Sequence, residues 1–110
     1  MEIVHYITED GTDLYRKWVD ALRDNRAKIA VLRRIDRAAM GNFSDHKLCR
    51  DGVSEMRVDV GPGYRVYYFL HDQTSVVLLC GGDKRTQDAD INKAVACRDD
   101  FLRRMKEELE

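Results

Sequence analysis

Hydrophobic and polar positions divide the chain into segments of two periods. Ile3 to Ile7 is a short apolar run with β-branched residues and an aromatic ring, which predicts a strand closed off by Glu9-Asp10-Gly11-Thr12. From Asp13 the period changes to that of a helix. Leu14, Trp18 and Leu22 recur at four-residue spacing, supported by Tyr15 and Val19. After a break at Asp24-Asn25 a second helix is expected, with Ile29, Leu32 and Ile35 turned inward and Arg33, Arg34 and Arg37 outward. Gly41-Asn42 reads as its stop. Two helices joined so closely predict an antiparallel hairpin. Residues 42–52 show no period and read as a surface loop.

The stretch from Glu55 to Ile91 organises the rest. Gly61-Pro62-Gly63 is a turn between two strands, because proline fixes φ and either glycine takes up a positive φ at no steric cost. If Val60 pairs with Tyr64, then Glu55, Arg57, Asp59, Arg65, Tyr67 and Phe69 share one face, read as the exposed one. Met56, Val58, Val60, Tyr64, Val66, Tyr68 and Leu70 share the other, apolar face. A second turn at His71-Asp72-Gln73 leads into Ser75–Cys80, a continuous apolar run that predicts a strand buried on both sides, ended by Gly81-Gly82. Thr86 is a candidate N-cap, with Asp88 and Asp90 in the first turn and Ile91, Ala94, Val95, Leu102, Met105 and Leu109 as the inner stripe of a terminal helix. The predicted order is β-α-α-β-β-β-α, an α+β fold with a largely antiparallel sheet.

At 110 residues, 44% hydrophobic and 35% charged, the chain reads as one domain over residues 1–110, of ordinary globular composition. No apolar stretch approaches a membrane span and no signal-peptide pattern opens the chain, so a cytoplasmic location is expected. Cys49, Cys80 and Cys97 are widely spaced with no histidine partners, which points to free thiols and away from a metal site. The net charge of −1 supplies no global field for nucleic acid, so a polyanion site must come from local arrangement.

Local arrangement offers one. Arg57 and Arg65 share a strand face, Lys84 and Arg85 leave the neighbouring strand, and Lys47 and Arg50 enter from the preceding loop. Fixed cations beside Tyr67 suit a phosphodiester, with guanidinium groups on its oxygens and the ring stacked on a base. The plainer alternative is cross-strand pairing of both arginines with Glu55 and Asp59 on a solvated face. Gly81-Gly82-Asp83-Lys84 either ends a strand or lets backbone approach a ligand. Of the three histidines, His46 is the candidate acid or base.

Gly-Pro-Gly-Tyr-Arg-Val-Tyr-Tyr, preceded by Glu55-Met56-Arg57 and followed by Leu-Leu-Cys-Gly-Gly-Asp-Lys-x-Thr-Gln-x-x-Asp-Ile-x-x-Ala, resembles the addiction-module killer proteins. These are a branch of the RelE/ParE/HigB superfamily of toxin–antitoxin toxins. The resemblance implies a RelE-like fold and a toxin that cleaves mRNA in the ribosomal A site by attack of a ribose 2′-hydroxyl on the adjacent phosphate. It implies Arg57, Arg65, Lys84 and Asp90 as catalytic residues and Lys47, Tyr67, Arg85 and Gln87 as RNA contacts. The implied partners are the ribosome, mRNA and a cognate antitoxin with a helix-turn-helix DNA-binding domain. No metal or organic cofactor is implied. Glu55 departs from relatives that carry a lysine there. A ParE-like inhibitor of DNA gyrase and an inactive toxin fold are the alternatives.

Overall fold

A computed structural model describes all of residues 1–110. The elements run β1 (Glu2–His5), α1 (Leu14–Asp20), α2 (Asn25–Ala39), β2 (His46–Arg50), β3 (Val53–Val58), β4 (Tyr64–His71), β5 (Ser75–Asp83) and α3 (Gln87–Leu109), with a single 3₁₀ turn at Lys84–Thr86. The fold is α+β, with three helices around one five-stranded sheet of order β1-β5-β4-β3-β2. Every pairing is antiparallel except β1 with β5.

The order is therefore β-α-α-β-β-β-β-α, one strand more than the hydrophobic pattern predicts. The additional strand is β2, formed by residues that read as loop. It is an edge strand, largely exposed, so it shows no alternation to detect. Asp51 and Gly52 turn it into β3, both with positive φ (51° and 81°), a left-handed pair suited to a two-residue hairpin. The β3–β4 loop is also wider than expected: Val58, not Val60, pairs with Tyr64. Moving the closing pair by two residues preserves parity, so the division of the hairpin into two faces stands.

Both faces are covered. On one, α1 and α2 bring Tyr15, Val19, Val31, Ile35 and Ala38 onto Met56, Val58, Val66, Tyr68, Val76 and Leu78. On the other, Ala94 and Cys97 of α3 close over Val53, Tyr67, Phe69, Val77, Leu79 and Cys80, joined by Tyr6. The odd-numbered face of the hairpin is thus not the exposed face expected from its charges. Burying apolar surface on both sides at roughly 25 cal/mol per Å² outweighs leaving Tyr67 and Phe69 in water.

Two further expectations are corrected. In α2 the inward positions are Ala27, Val31, Arg34, Ile35 and Ala38, whereas Ile29 and Leu32 are exposed. Arg34 turns inward to meet carbonyls of the chain leaving α2: its Nη2 donates to those of Phe43 (3.0 Å) and Asp45 (2.7 Å), the latter also accepting from the Arg57 N–H at 2.9 Å. Gly81 and Gly82 do not end β5 but lie within it. A Cβ on Gly81 would stand 2.1 Å from the Trp18 ring, and one on Gly82 1.9 Å from Asp90 Oδ2. Each glycine lets a side chain from one covering layer rest directly on the strand.

Candidate functional site

The site begins with a cost. In the β3–β4 register Arg57 stands directly opposite Arg65, and like charges so placed repel. Glu55, two residues before Arg57 on the same face, relieves it. Its Oε2 lies 2.8 Å from Arg65 Nε and its Oε1 3.5 Å from Arg57 Nε. Gln87, at the start of α3, donates a long 3.5 Å hydrogen bond to Oε1. Glu55 is wholly buried, whereas the Arg57 side chain retains 39% of its exposure and Arg65 13%. The short Arg65 contact lacks hydrogen-bond alignment, since neither Arg65 Nε nor Glu55 Oε2 has a hydrogen-bond partner. It is an ion pair held by charge and enclosure. Of the alternative raised by the charge pattern, pairing of both arginines with Glu55 and Asp59, the Glu55 part is present and Asp59 pairs with neither. The Glu55 pairing takes a buried form rather than a solvated one.

Around this triad the surface forms two clefts. The first, about 260 Å³, is lined by Arg57, Arg65 and Lys84 with Asp45, Asp59 and the Gly61-Pro62-Gly63 turn. Gly61 and Gly63 take φ values of 59° and 82°, so one rim is nearly bare backbone. Lys84 is exposed and opens the 3₁₀ turn, which Asp83 caps by accepting from the Arg85 N–H at 2.8 Å. The second cleft, about 370 Å³, is lined by Lys47, Arg50, Glu55, Gln87, Asp88 and Asn92, with Cys49 and Ile91. Glu55 is therefore the partition between a cleft of three cations and two carboxylates and a cleft of mixed amides and charges. The first can hold a doubly charged or transiently pentavalent phosphate by three cations on fixed backbone.

Residues 17–98 match the family described as phage derived protein Gp49-like (DUF891). The chain belongs to the Gp49-like family. It is also 48% identical over 80 residues to an uncharacterized protein of Haemophilus influenzae, covering 73% of this chain and 81% of that one. The Gp49-like match spans both clefts and leaves out β1 and the end of α3.

Within this Gp49-like fold, three of the four candidate catalytic residues meet: Arg57, Arg65 and Lys84 line one cleft. Asp90 lies apart, packed against Gly82, where its Oδ2 accepts from the Thr86 hydroxyl at 2.5 Å. That contact replaces the expected Thr86 cap, whose side chain caps no α3 amide. Lys47 and Gln87 face the neighbouring cleft. Arg85 is exposed and paired with Asp83 at 3.0 Å. Tyr67, directly opposite Glu55, is fully buried and offers no face for a base to stack on. Burial pushes its hydroxyl well above the ordinary tyrosine range, reinforced by the carboxylates of Glu55 and Asp90, and the hydroxyl has no hydrogen-bond partner. His46 pairs opposite Met56 on the α2 side of the sheet, its Nδ1 3.0 Å from the Ser44 carbonyl, and lines neither cleft.

Sequence reasoning gave Glu55 no role beyond a possible partner for the arginines and overlooked Asp45. The available signal was the Glu-x-Arg spacing, which places a carboxylate and a guanidinium on one side of a strand.

Proposed function

We propose that this Gp49-like protein is the toxin of a type II toxin–antitoxin module, a ribosome-dependent mRNA endoribonuclease of RelE-like fold. The observation that carries the reading is the convergence of Arg57, Arg65 and Lys84 on one cleft, in a chain whose overall charge gives no reason for cations to gather. In the proposed reaction a ribose 2′-hydroxyl gives up its proton to water and attacks the adjacent phosphorus, and the P–O5′ bond breaks, leaving a 2′,3′-cyclic phosphate and, once the departing oxygen is protonated, a 5′-hydroxyl. The two guanidiniums hold the non-bridging oxygens as negative charge develops, and Lys84 protonates the departing 5′-oxygen. The ribosome supplies alignment of the strand, which explains how a small cleft suffices. Lys47, Arg85 and Gln87, on the flanks of the cleft, contact the RNA on either side. Asp90 acts through the start of α3. The cognate antitoxin, with a helix-turn-helix domain, neutralises the toxin in the cytoplasm.

The test is primer extension on transcripts from cells minutes after induction, comparing wild type with Arg65→Ala. Cuts within translated codons that disappear in the variant support the reading. Intact transcripts with arrested growth and a DNA-damage response would instead identify a ParE-like gyrase inhibitor, and intact transcripts with normal growth an inactive toxin.

A further inference from the structure

The largest groove in the molecule, about 610 Å³, runs between α2 and the β3–β4 turn. It is continuous with the cation cleft, because Asp45, Arg57, Val58 and Asp59 line both. Its outer wall carries Arg33 and Arg37, one helical turn apart. Both are exposed, and neither takes part in any ion pair or side-chain hydrogen bond. Its floor includes Arg34, only 6% exposed, whose buried Nε has no hydrogen-bond partner.

We infer that this groove is a second anion subsite, which holds the sugar–phosphate backbone of single-stranded RNA flanking the scissile phosphate, with Arg33 and Arg37 as the backbone contacts. The inference rests on the RNA reading proposed above and extends it. Residues four apart on a helix hold their Cβ atoms about 6 Å apart, a separation suited to successive phosphates of one strand. Four arginines line the groove against three carboxylates, Asp36, Asp45 and Asp59, and Asp45 is already drawn to Arg57 at 3.9 Å, so one cation remains in excess.

The experiment measures binding of uncleavable 2′-O-methyl RNA, three and eight nucleotides long, by fluorescence anisotropy across a salt series. Wild type should bind the octamer at least tenfold more tightly than the trinucleotide. Arg33→Ala combined with Arg37→Ala should remove that gain and leave trinucleotide binding intact. The slope of log affinity against log salt should fall by about 1.4, the release expected from two single-strand phosphates. Because both side chains are exposed and unpaired, the urea midpoint should not move, and Arg33→Lys with Arg37→Lys should restore the slope. An equal length gain in the alanine variant, no gain in wild type, or equally tight binding of polyglutamate would each overturn the groove assignment. Arg65-dependent cuts in cellular mRNA report separately on the RNA reading, so cuts without a length effect overturn the groove alone.

Discussion

Glu55→Gln is the substitution that tests most sharply how the cleft is held together. The amide has the carboxylate's shape but carries no charge, and half of it is a donor facing guanidinium donors. Arg57 and Arg65 would remain opposed across the β3–β4 pair, with only the exposed Asp45, 3.9 Å from Arg57, to offset their repulsion. Removing one partner of a buried ion pair costs roughly 3–5 kcal/mol. Arg57 is 39% exposed, so water shares in stabilising its charge. The expected loss is therefore at the low end, about 3 kcal/mol. That is a large part of a stability of roughly 5–15 kcal/mol. At about 4 °C per kcal/mol for a domain of this size, Tm should fall by ~12 °C. Urea denaturation measures it, with an unchanged m-value showing that the unfolded state is not the cause. A double-mutant cycle divides the effect. Glu55 should couple more strongly to Arg65, at 2.8 Å and 13% exposed, than to Arg57, at 3.5 Å. Stability within 0.5 kcal/mol of wild type, roughly the scatter of an ordinary surface change, would refute the reasoning. Stronger coupling to Arg57 would refute the assignment of the tighter partner.

Two more predictions concern the layers that press on β5 and the tyrosines beneath them. Gly82→Ala should destabilise by roughly 1–3 kcal/mol, because its Cβ meets the Asp90 carboxylate, and adding Asp90→Ala should recover most of that loss in the same urea titration. Gly81→Ala meets the Trp18 ring, a rigid group packed against the core, and should cost more with no such rescue. At high pH, stability should decline as pH rises past 10, the ordinary tyrosine value. Burial pushes both Tyr6 and Tyr15 up to about 12, with the Asp100 hydrogen bond adding to the effect at Tyr6. The folded state therefore keeps both protons over a range where the unfolded chain releases them, and release favours unfolding. Urea midpoints from pH 9 to 11.5 should fall less steeply for Tyr6→Phe and Tyr15→Phe, and an equally steep fall would point to other groups.

Much of this molecule is legible in its sequence, and the misses have specific physical causes. Alternation along Glu55–Leu70 places Glu55, Arg57 and Arg65 together, and the structure keeps that parity although the loop closes at Val58. Helical spacing locates all three helices. What alternation does not reveal is a second cover. Charged residues at one end of the odd-numbered face suggest water, yet α3 buries Glu55, Tyr67 and Phe69 there. That depends on where a helix thirty residues away comes to rest. The rotation of α2 is of the same kind, since Arg34 faces inward to serve two carbonyls in the following loop, a demand invisible to hydrophobic spacing. The strand β2 was detectable by its Asp51-Gly52 turn but not by its side chains, which face solvent at a sheet edge. For the candidate site, residue type and motif name six cations, of which Arg57, Arg65 and Lys84 line one cleft and Lys47 and Arg50 its neighbour. The buried carboxylate between the arginines and the arginine groove beside them are tertiary products.

No helix of the protein is long and apolar enough to cross a membrane. The proposed function turns on RNA, and its most direct test uses purified components. Ribosomes paused on a defined codon of a short mRNA are incubated with the protein, and the ends of any fragments are determined. The proposed chemistry predicts a cut at the paused codon, a 2′,3′-cyclic phosphate on the upstream fragment, and a rate reduced roughly 10²–10³-fold in Arg65→Ala. Uncut mRNA on occupied ribosomes, or fragments ending in a 3′-hydroxyl and a 5′-phosphate, would contradict it.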